Sequence, residues 1–150
     1  MPNNNETPRV ITPEAEQVAR SVRSWLNTYP DIPEPMVDVD FLGETAGLAI
    51  MTTQAAYKTH EYICGGYEAQ YQFMIYYRTI PTTANERLIA DEVLNNIATW
   101  AERNLSTLTL DDPCVAKRIV RNTNAALLGQ MQNGAEDHTI SMTLRYEVNV

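Results

Sequence analysis

The sequence predicts an α+β domain in which a mostly antiparallel or mixed sheet carries two main helices packed on one face. Two long segments have apolar residues at three- and four-residue spacing, which is typical of helices, and several others alternate apolar with polar residues, as strands do. Their order is a helix, strands, a second helix and strands, without the regular strand–helix repeat of a parallel sheet. With 150 residues, 44% of them hydrophobic, the chain is expected to form one core.

Residues 1–11 are expected to form a flexible tail, and residues 12–150 a single domain. The start of the chain is polar, contains two prolines and shows no apolar periodicity. Thr12 and Pro13 then supply an N-cap and a first helical residue. The apolar stripe of this first helix comprises Ala15, Val18, Val22, Trp25, Leu26 and Tyr29. Three prolines between residues 30 and 35 end the helix.

Three strands are predicted in the middle of the chain. An alternating strand begins at Met36, a short one spans residues 48–53, and residues 54–66 are predicted to form a loop with two adjacent glycines. The longest strand spans residues 68–80, where Tyr71, Phe73 and Ile75 face one way. The opposite face of this strand is only partly polar, so it is expected to be covered as well.

A second helix and three further strands complete the predicted order. The helix begins in a capping box at residues 83–86 and continues to about Asn104. A strand is predicted over residues 115–121, and strands over 125–132 and 139–148 flank Asn133 and Gly134, a pair favoured in hairpin turns. In the last strand, apolar residues from Ile140 to Val148 alternate strictly with polar ones, which indicates one apolar face.

Composition disfavours several classes of function. Eleven Lys and Arg against nineteen Asp and Glu give a net charge of −8, which argues against a surface built for nucleic acid or anionic lipid. The one basic cluster, at Lys117, Arg118 and Arg121, is predicted to divide between the two faces of a strand. It could contact a phosphate backbone, but a salt-bridged interface or a solvated edge is favoured. Neither a signal peptide nor a membrane-spanning stretch is evident, so a soluble, cytoplasmic product without a membrane partner is expected.

Residues that could carry chemistry are few. His60 and Cys64 lie four apart and could form an activated thiol, but ordinary loop residues are the favoured interpretation. Asp38, Asp40 and Glu44 could form an acid pair or a hard-cation site, although a solvated strand edge is favoured. The sequence lacks the usual nucleotide and nucleophile motifs. We therefore assign no catalytic residue, no cofactor and no metal ligand.

Aromatic residues form the most informative cluster. Six of the eight tyrosines fall between residues 57 and 77. Tyrosine is enriched in protein interfaces because it offers a large amphipathic area at a low cost in rotamer entropy. An interface and a mixture of core and surface positions remain equally open. The interface candidates are Tyr57, Tyr62, Tyr67, Gln72, Met74, Tyr76 and Arg78.

The order and spacing of these segments resemble a known family. The matching positions are residues 39–44, residues 62–66, the strand at 71–78, the Trp-bearing helix at 85–103 and the final strand at 140–147. In these the chain is similar to the tail terminator, or tail completion, proteins of long-tailed bacteriophages, often labelled minor capsid proteins in phages of Gram-positive hosts. The resemblance covers residues 12–150 and rests on hydrophobic and turn positions rather than on chemical groups.

The resemblance implies a structural virion protein and not an enzyme. Six copies would form a ring on the tail tube, stop its polymerisation and join the head through a connector or stopper protein. Such a protein would be assembled in the host cytoplasm and found in the tail or neck of the virion. Phage DNA would pass through without specific binding, past acidic side chains for which the candidates are Asp38, Asp40, Glu44, Glu61 and Glu68.

Two alternatives remain open at this point. The first is another head–tail connector, neck or tail-assembly protein of similar fold. The second is a small cytosolic enzyme or regulatory module, for which a pocket joining His60, Cys64 and an acid would be the distinguishing feature.

Overall fold

The computed structural model describes residues 11–38, 46–53, 57–81, 84–130, 132 and 134–149. The two helices are α1 (Ile11–Leu26) and α2 (Ala84–Arg103), and a short 3-10 turn (Leu105–Thr107) follows α2. The strands are β1 (Val37–Asp38), β2 (Gly47–Thr52), β3 (Lys58–Glu61), β4 (Tyr67–Thr79), β5 (Cys114–Arg121), β6 (Ala126–Gln130) and β7 (Glu136–Val148). This order confirms the α+β class. Neither described helix is long and apolar enough to cross a membrane.

The described strands form one mixed sheet built around β4 and β7. The strand order is β1-β2-β4-β7-β5, and all pairings are antiparallel except that of β1 with β2. β4 and β7 pair over their full thirteen residues, from Tyr67 with Val148 to Thr79 with Glu136. β2 and β3 share the other edge of β4, and β5 and β6 share the other edge of β7. Each central strand therefore has two short neighbours along its outer side.

The hydrophobic core lies between the sheet and the two helices. Phe73 and Ile75 of β4 lie opposite Met142 and Ile140 of β7, and all four are fully buried. The helices supply the covering layer, through Val18, Val22 and Leu26 of α1 and Leu94, Ile97 and Ala101 of α2. The rings of Trp25 and Trp100 lie 5.2 Å apart and join the two helices. The alternation predicted for the two longest strands is confirmed.

Several predicted boundaries differ from the structure. Residues 58–61, predicted as loop, form β3, whose four side chains are all exposed and therefore give no apolar alternation. β7 begins at Glu136 rather than at 139. The predicted tail lies outside the described residues, except that α1 already begins at Ile11. The capping-box residue Thr83 and the turn residue Asn133 also lie outside the described part of the chain.

The faces of β5 were only partly predicted, because strict alternation fails there. A register shift between Ala116 and Arg118 adds one residue to the strand. Ala116 therefore shares the helix side of the sheet with Ile119 and Arg121, whereas the sequence placed it with Arg118 and Val120. The predicted division of the basic cluster is confirmed, since Arg118 and Arg121 point to opposite faces.

Candidate assembly surfaces

The sheet has one face that neither described helix covers, and we name it the open face. It consists of the even-numbered residues of β4 from 68 to 78, the odd-numbered residues of β7 from 137 to 147, and their cross-strand neighbours on β2 and β5. Antiparallel sheets commonly leave one face to solvent, and such a face is then polar. This one is mixed, because it carries Met74 and Tyr76 beside Gln70 and Gln72.

A small apolar cluster lies on the open face at the β1 side. Ala49 and Tyr76 are buried in it, and Val37, Met51 and Met74 pack against them half-buried. Gln72 and Met74 thus lie where an interface was predicted and are partly accessible. Tyr76, another interface candidate, is only 9% exposed and packs within this cluster.

Arg78, also an interface candidate, forms an ion pair with Asp137 of the same chain. Its Nε donates to Asp137 Oδ1 at 2.6 Å, and its Nη2 donates to Asp137 Oδ2 at 2.9 Å. The two residues are cross-strand partners on β4 and β7, so the sheet register itself sets the bidentate geometry. Arg78 is buried, so it stabilises the sheet rather than offering a free cation to a partner.

The remaining tyrosine candidates lie at the β3 end of the sheet. Tyr67 is on the helix side of β4, and its hydroxyl lies 3.0 Å from that of Tyr57. Both pack half-buried against the core, and Lys58 Nζ lies 4.3 Å from the centre of the Tyr67 ring. Tyr62 donates to Glu147 Oε2 at 2.8 Å, and this hydrogen bond is the main cause of its raised pKa. The predicted cluster therefore divides between the two faces.

The acidic channel candidates do not form one surface. Asp38 pairs with Arg23 of α1 at 3.0 Å, on the helix side of β1. Glu61 pairs with Lys58 at 3.1 Å. Glu68, on the open face, accepts a hydrogen bond from Thr59 Oγ1 at 2.7 Å. Asp40 and Glu44 lie outside the described residues. Those that are described are spread over both sides of the sheet.

The histidine and cysteine singled out in the sequence are exposed and lie in β3 and the turn after it. The ring of His60 contacts that of Tyr62 at 5.1 Å between centres, and Cys64 is a free, exposed thiol. Within the described ranges, no group of three His, Cys, Asp or Glu side chains is arranged to hold a metal ion.

A groove of about 630 Å³ lies between α1 and residues 107–111. It is lined by Gln17, Arg20, Trp25, Thr107 and Asp111 among others.

A buried polar cluster at the β6 end of the sheet was not predicted. His138 Nδ1 lies 2.8 Å from Asp91 of α2, and its Nε2 lies 3.4 Å from Glu136. Gln130 donates to the other oxygen of Glu136 at 2.6 Å, and Arg87 of α2 pairs with that oxygen at 2.8 Å. The Gln130 hydrogen bond, then Arg87 and His138, lower the Glu136 pKa against the opposing effect of burial. Asp91 and Arg87 of α2 lie far from His138 and Glu136 in sequence, so no local pattern predicts that these two side chains are buried.

An exposed apolar edge was also missed. All five residues of β6 are exposed, including Leu127 at 46% and Leu128 at 57%. Leu88 of α2 is exposed as well. It lies on the same face of α2 as Asn95, because seven residues make nearly two helical turns. Asn95 Oδ1 accepts the backbone N–H of Ala125, the residue before β6, so this side of α2 borders the strand. Leu127 and Leu128 make this edge of the sheet apolar, and we name it the β6 edge.

Comparisons with known proteins assign no family. A scan against models of known protein families finds no match to the chain, and a search of curated proteins finds none either.

Proposed function

We propose that this chain is a structural subunit of a bacteriophage virion. In this proposal several copies, six by the family resemblance, form a ring on the end of the tail tube and stop its polymerisation. The ring then offers the surface to which the head joins, through a connector or stopper protein. The chain has no enzymatic role in this proposal.

The single observation that carries the proposal is the β6 edge. β6 pairs only with β7 among the described strands, so its other side presents backbone N–H and C=O groups that no described strand pairs. Natural proteins protect such edges with charges, prolines or bulges, because an edge is a template for another chain. β6 has one such feature, a register shift between Leu127 and Gly129, but it carries no charged residue or proline. Leu127 and Leu128 make the edge apolar, which favours burial against a partner.

The sheet order is compatible with a ring. A closed ring uses head-to-tail contacts, in which two different patches of each subunit meet. β5 and β6 lie on one side of the central strand pair, and β1 lies at the far side beyond β2. Opposite sides of one subunit can thus meet opposite sides of its neighbours, and closure of the ring prevents an open filament.

Charge supports the passage of DNA without attachment. Each copy carries a net charge of −8, so a ring of copies carries a strong overall negative charge. Such a field repels phosphate groups rather than holding them. DNA in this proposal is cargo that slides through the ring, and the bound partners are the tail tube protein and the connector or stopper protein.

The proposal is tested on the purified protein by sedimentation velocity and negative-stain microscopy. We expect annular particles for the wild type and folded monomers for the Leu127→Asp/Leu128→Asp variant. An uncompensated charge buried at an interface costs several kcal/mol, which weakens association about a hundredfold or more. Ile63→Asp is the matched control, because Ile63 is fully exposed in the turn between β3 and β4.

Two results would contradict the proposal. One is a wild type that stays monomeric at every soluble concentration and does not cap tail tubes. The other is an Asp variant that forms rings as readily as the wild type. Far-UV circular dichroism of each variant establishes that the fold is intact. Binding at one end of purified tail tubes would separate a tail terminator from another neck protein.

A further inference from the structure

Most of the described basic side chains of this acidic chain form ion pairs within it. Ten of its eleven Lys and Arg residues lie in the described part. Seven of these form ion pairs, namely Arg20, Arg23, Lys58, Arg78, Arg87, Lys117 and Arg121. Arg103, Arg118 and Arg145 have no acidic partner among the described residues.

Two of the three, Arg118 and Arg145, lie directly opposite each other, and we name them the arginine pair. They are cross-strand partners on β5 and β7, both are exposed, and both point to the open face. Directly opposite residues of an antiparallel pair have Cα atoms about 4.5–5.5 Å apart, and like charges there are destabilising. The register shift after Ala116 is what turns Arg118 to this face. An anionic group bound between the two side chains would remove the repulsion.

A matching pair of carboxylates lies in the turn between α1 and β1, residues 30–35, which we name the acidic turn. Asp31 and Glu34 are both exposed, and neither forms an ion pair among the described residues. Three of the six residues are proline, which fixes the backbone and lowers the entropy lost when a partner binds. The turn thus presents two negative charges on a stiff support.

We propose that the arginine pair of one copy binds the acidic turn of the next copy in the ring. This inference rests on the proposed function, because it needs a head-to-tail assembly of identical chains. The acidic turn directly precedes β1, at one edge of the sheet, and Arg118 lies on β5 at the opposite edge. Head-to-tail contact brings these two edges of neighbouring copies together, and the two positive charges then meet two negative ones.

A carboxylate partner is favoured over the phosphates of DNA. Glu68 and Glu147 are cross-strand partners two residues along β4 and β7 from Gln70 and Arg145, and they form the next pair on the open face. A continuous phosphate backbone would have to pass these acids, and the net charge of −8 opposes its approach, whereas two discrete carboxylates need contact only the arginine pair. The occupant we commit to is therefore a second copy of this chain.

Charge reversal tests this pairing. We expect Arg118→Glu/Arg145→Glu and Asp31→Arg/Glu34→Arg each to weaken self-association at least tenfold in sedimentation velocity, because like charges then face each other across the contact. The variant with all four substitutions places negative charges at the arginine pair and positive charges at the acidic turn. The attraction is thereby restored, and we expect this variant to form rings. Glu92→Arg/Arg103→Glu, which alters exposed and unpaired charges on α2, is the control and should assemble normally.

A cross-link gives a second test that does not depend on the strength of the ion pairs. Glu34→Cys and Arg118→Cys, in a Cys64→Ser background, should form disulfides between copies on mild oxidation and yield a ladder of covalent oligomers. Either substitution alone should not. Neither position is buried, so both variants are expected to fold.

The outcomes separate the two proposals. This inference would be overturned if Arg118→Glu/Arg145→Glu assembled like the wild type. It would also be overturned if the variant with all four substitutions self-associated as weakly as the two double variants. In both cases the proposed ring itself would stand. A wild type that never self-associates would overturn both. Binding of a short DNA duplex by the wild type, measured by fluorescence anisotropy and lost in Arg118→Glu/Arg145→Glu, would assign the arginine pair to phosphate and also overturn the inference.

Discussion

The bidentate pair of Arg78 and Asp137 offers a quantitative test of how the sheet is held together. An exposed ion pair contributes about 0.2–1 kcal/mol, whereas removing one partner of a buried pair costs about 3–5 kcal/mol. The two side chains are 10% and 17% exposed, so the pair resembles a buried pair more than an exposed one. We therefore expect Arg78→Met and Asp137→Val each to lower the free energy of unfolding by roughly 2–3 kcal/mol. The double variant should lie within about 1 kcal/mol of the wild type, because apolar partners replace the charges on both strands.

Urea unfolding followed by tryptophan fluorescence measures these differences. Trp25 and Trp100 contact each other between the helices, away from the altered side chains, so their emission reports global unfolding. For a chain of this length, the single variants should also melt about 4–12 °C lower. Single variants within about 0.5 kcal/mol of the wild type would refute the reasoning, as would a double variant that costs the sum of the singles. Loss of ring formation at unchanged stability would return Arg78 to the interface in which the sequence placed it.

The remaining expectations concern acid stability and backbone packing. Because the Glu136 pKa is lowered from its ordinary 4.5, its carboxylate stabilises the fold above that pH. This contribution is lost as the pH falls through the lower folded value, so Glu136→Gln should flatten the acid side of a plot of urea midpoint against pH; an unchanged slope would contradict this. Gly66→Ala should destabilise the fold by about 1–3 kcal/mol, because a Cβ there would meet the Val148 carbonyl oxygen at 2.8 Å. A Cβ at Gly129 meets nothing within 4 Å, so Gly129→Ala should lower the free energy of unfolding by less than about 0.5 kcal/mol in the same urea assay. Equal losses for the two variants would show that the contact with the Val148 carbonyl does not cause the loss at Gly66.

The parts of the fold that could be predicted are those in which burial alone sets the pattern. Phe73 and Ile75, or Ile140 and Met142, are apolar because the helices cover one face, and a period of two is then unavoidable. β3 carried no such signal, because Lys58 to Glu61 are exposed on both sides and are held by pairing with β4 rather than by burial.

Assigning a residue to a face proved harder than locating its strand. A single extra residue after Ala116 changed the faces on β5 and brought Arg118 opposite Arg145, a juxtaposition that alternation could not predict. Alternation also gives no measure of burial on the helix-free face, where Tyr76 is buried by neighbours on the same sheet. For Glu136 and His138, burial depends on Arg87 and Asp91 of a distant helix, so no local pattern could show it.

The central strand ladder has a consequence for how the protein is made. β4 emerges from the ribosome before its main partner β7, which comes only after α2, β5 and β6 have been synthesised. During that delay β4 is a thirteen-residue segment rich in aromatic and branched side chains, with Tyr71, Phe73 and Ile75 still without their final cover. Such unpaired strands are prone to aggregate. Efficient synthesis therefore favours fast completion of the chain, and a pause between β4 and β7 is the step at which misassembly would begin.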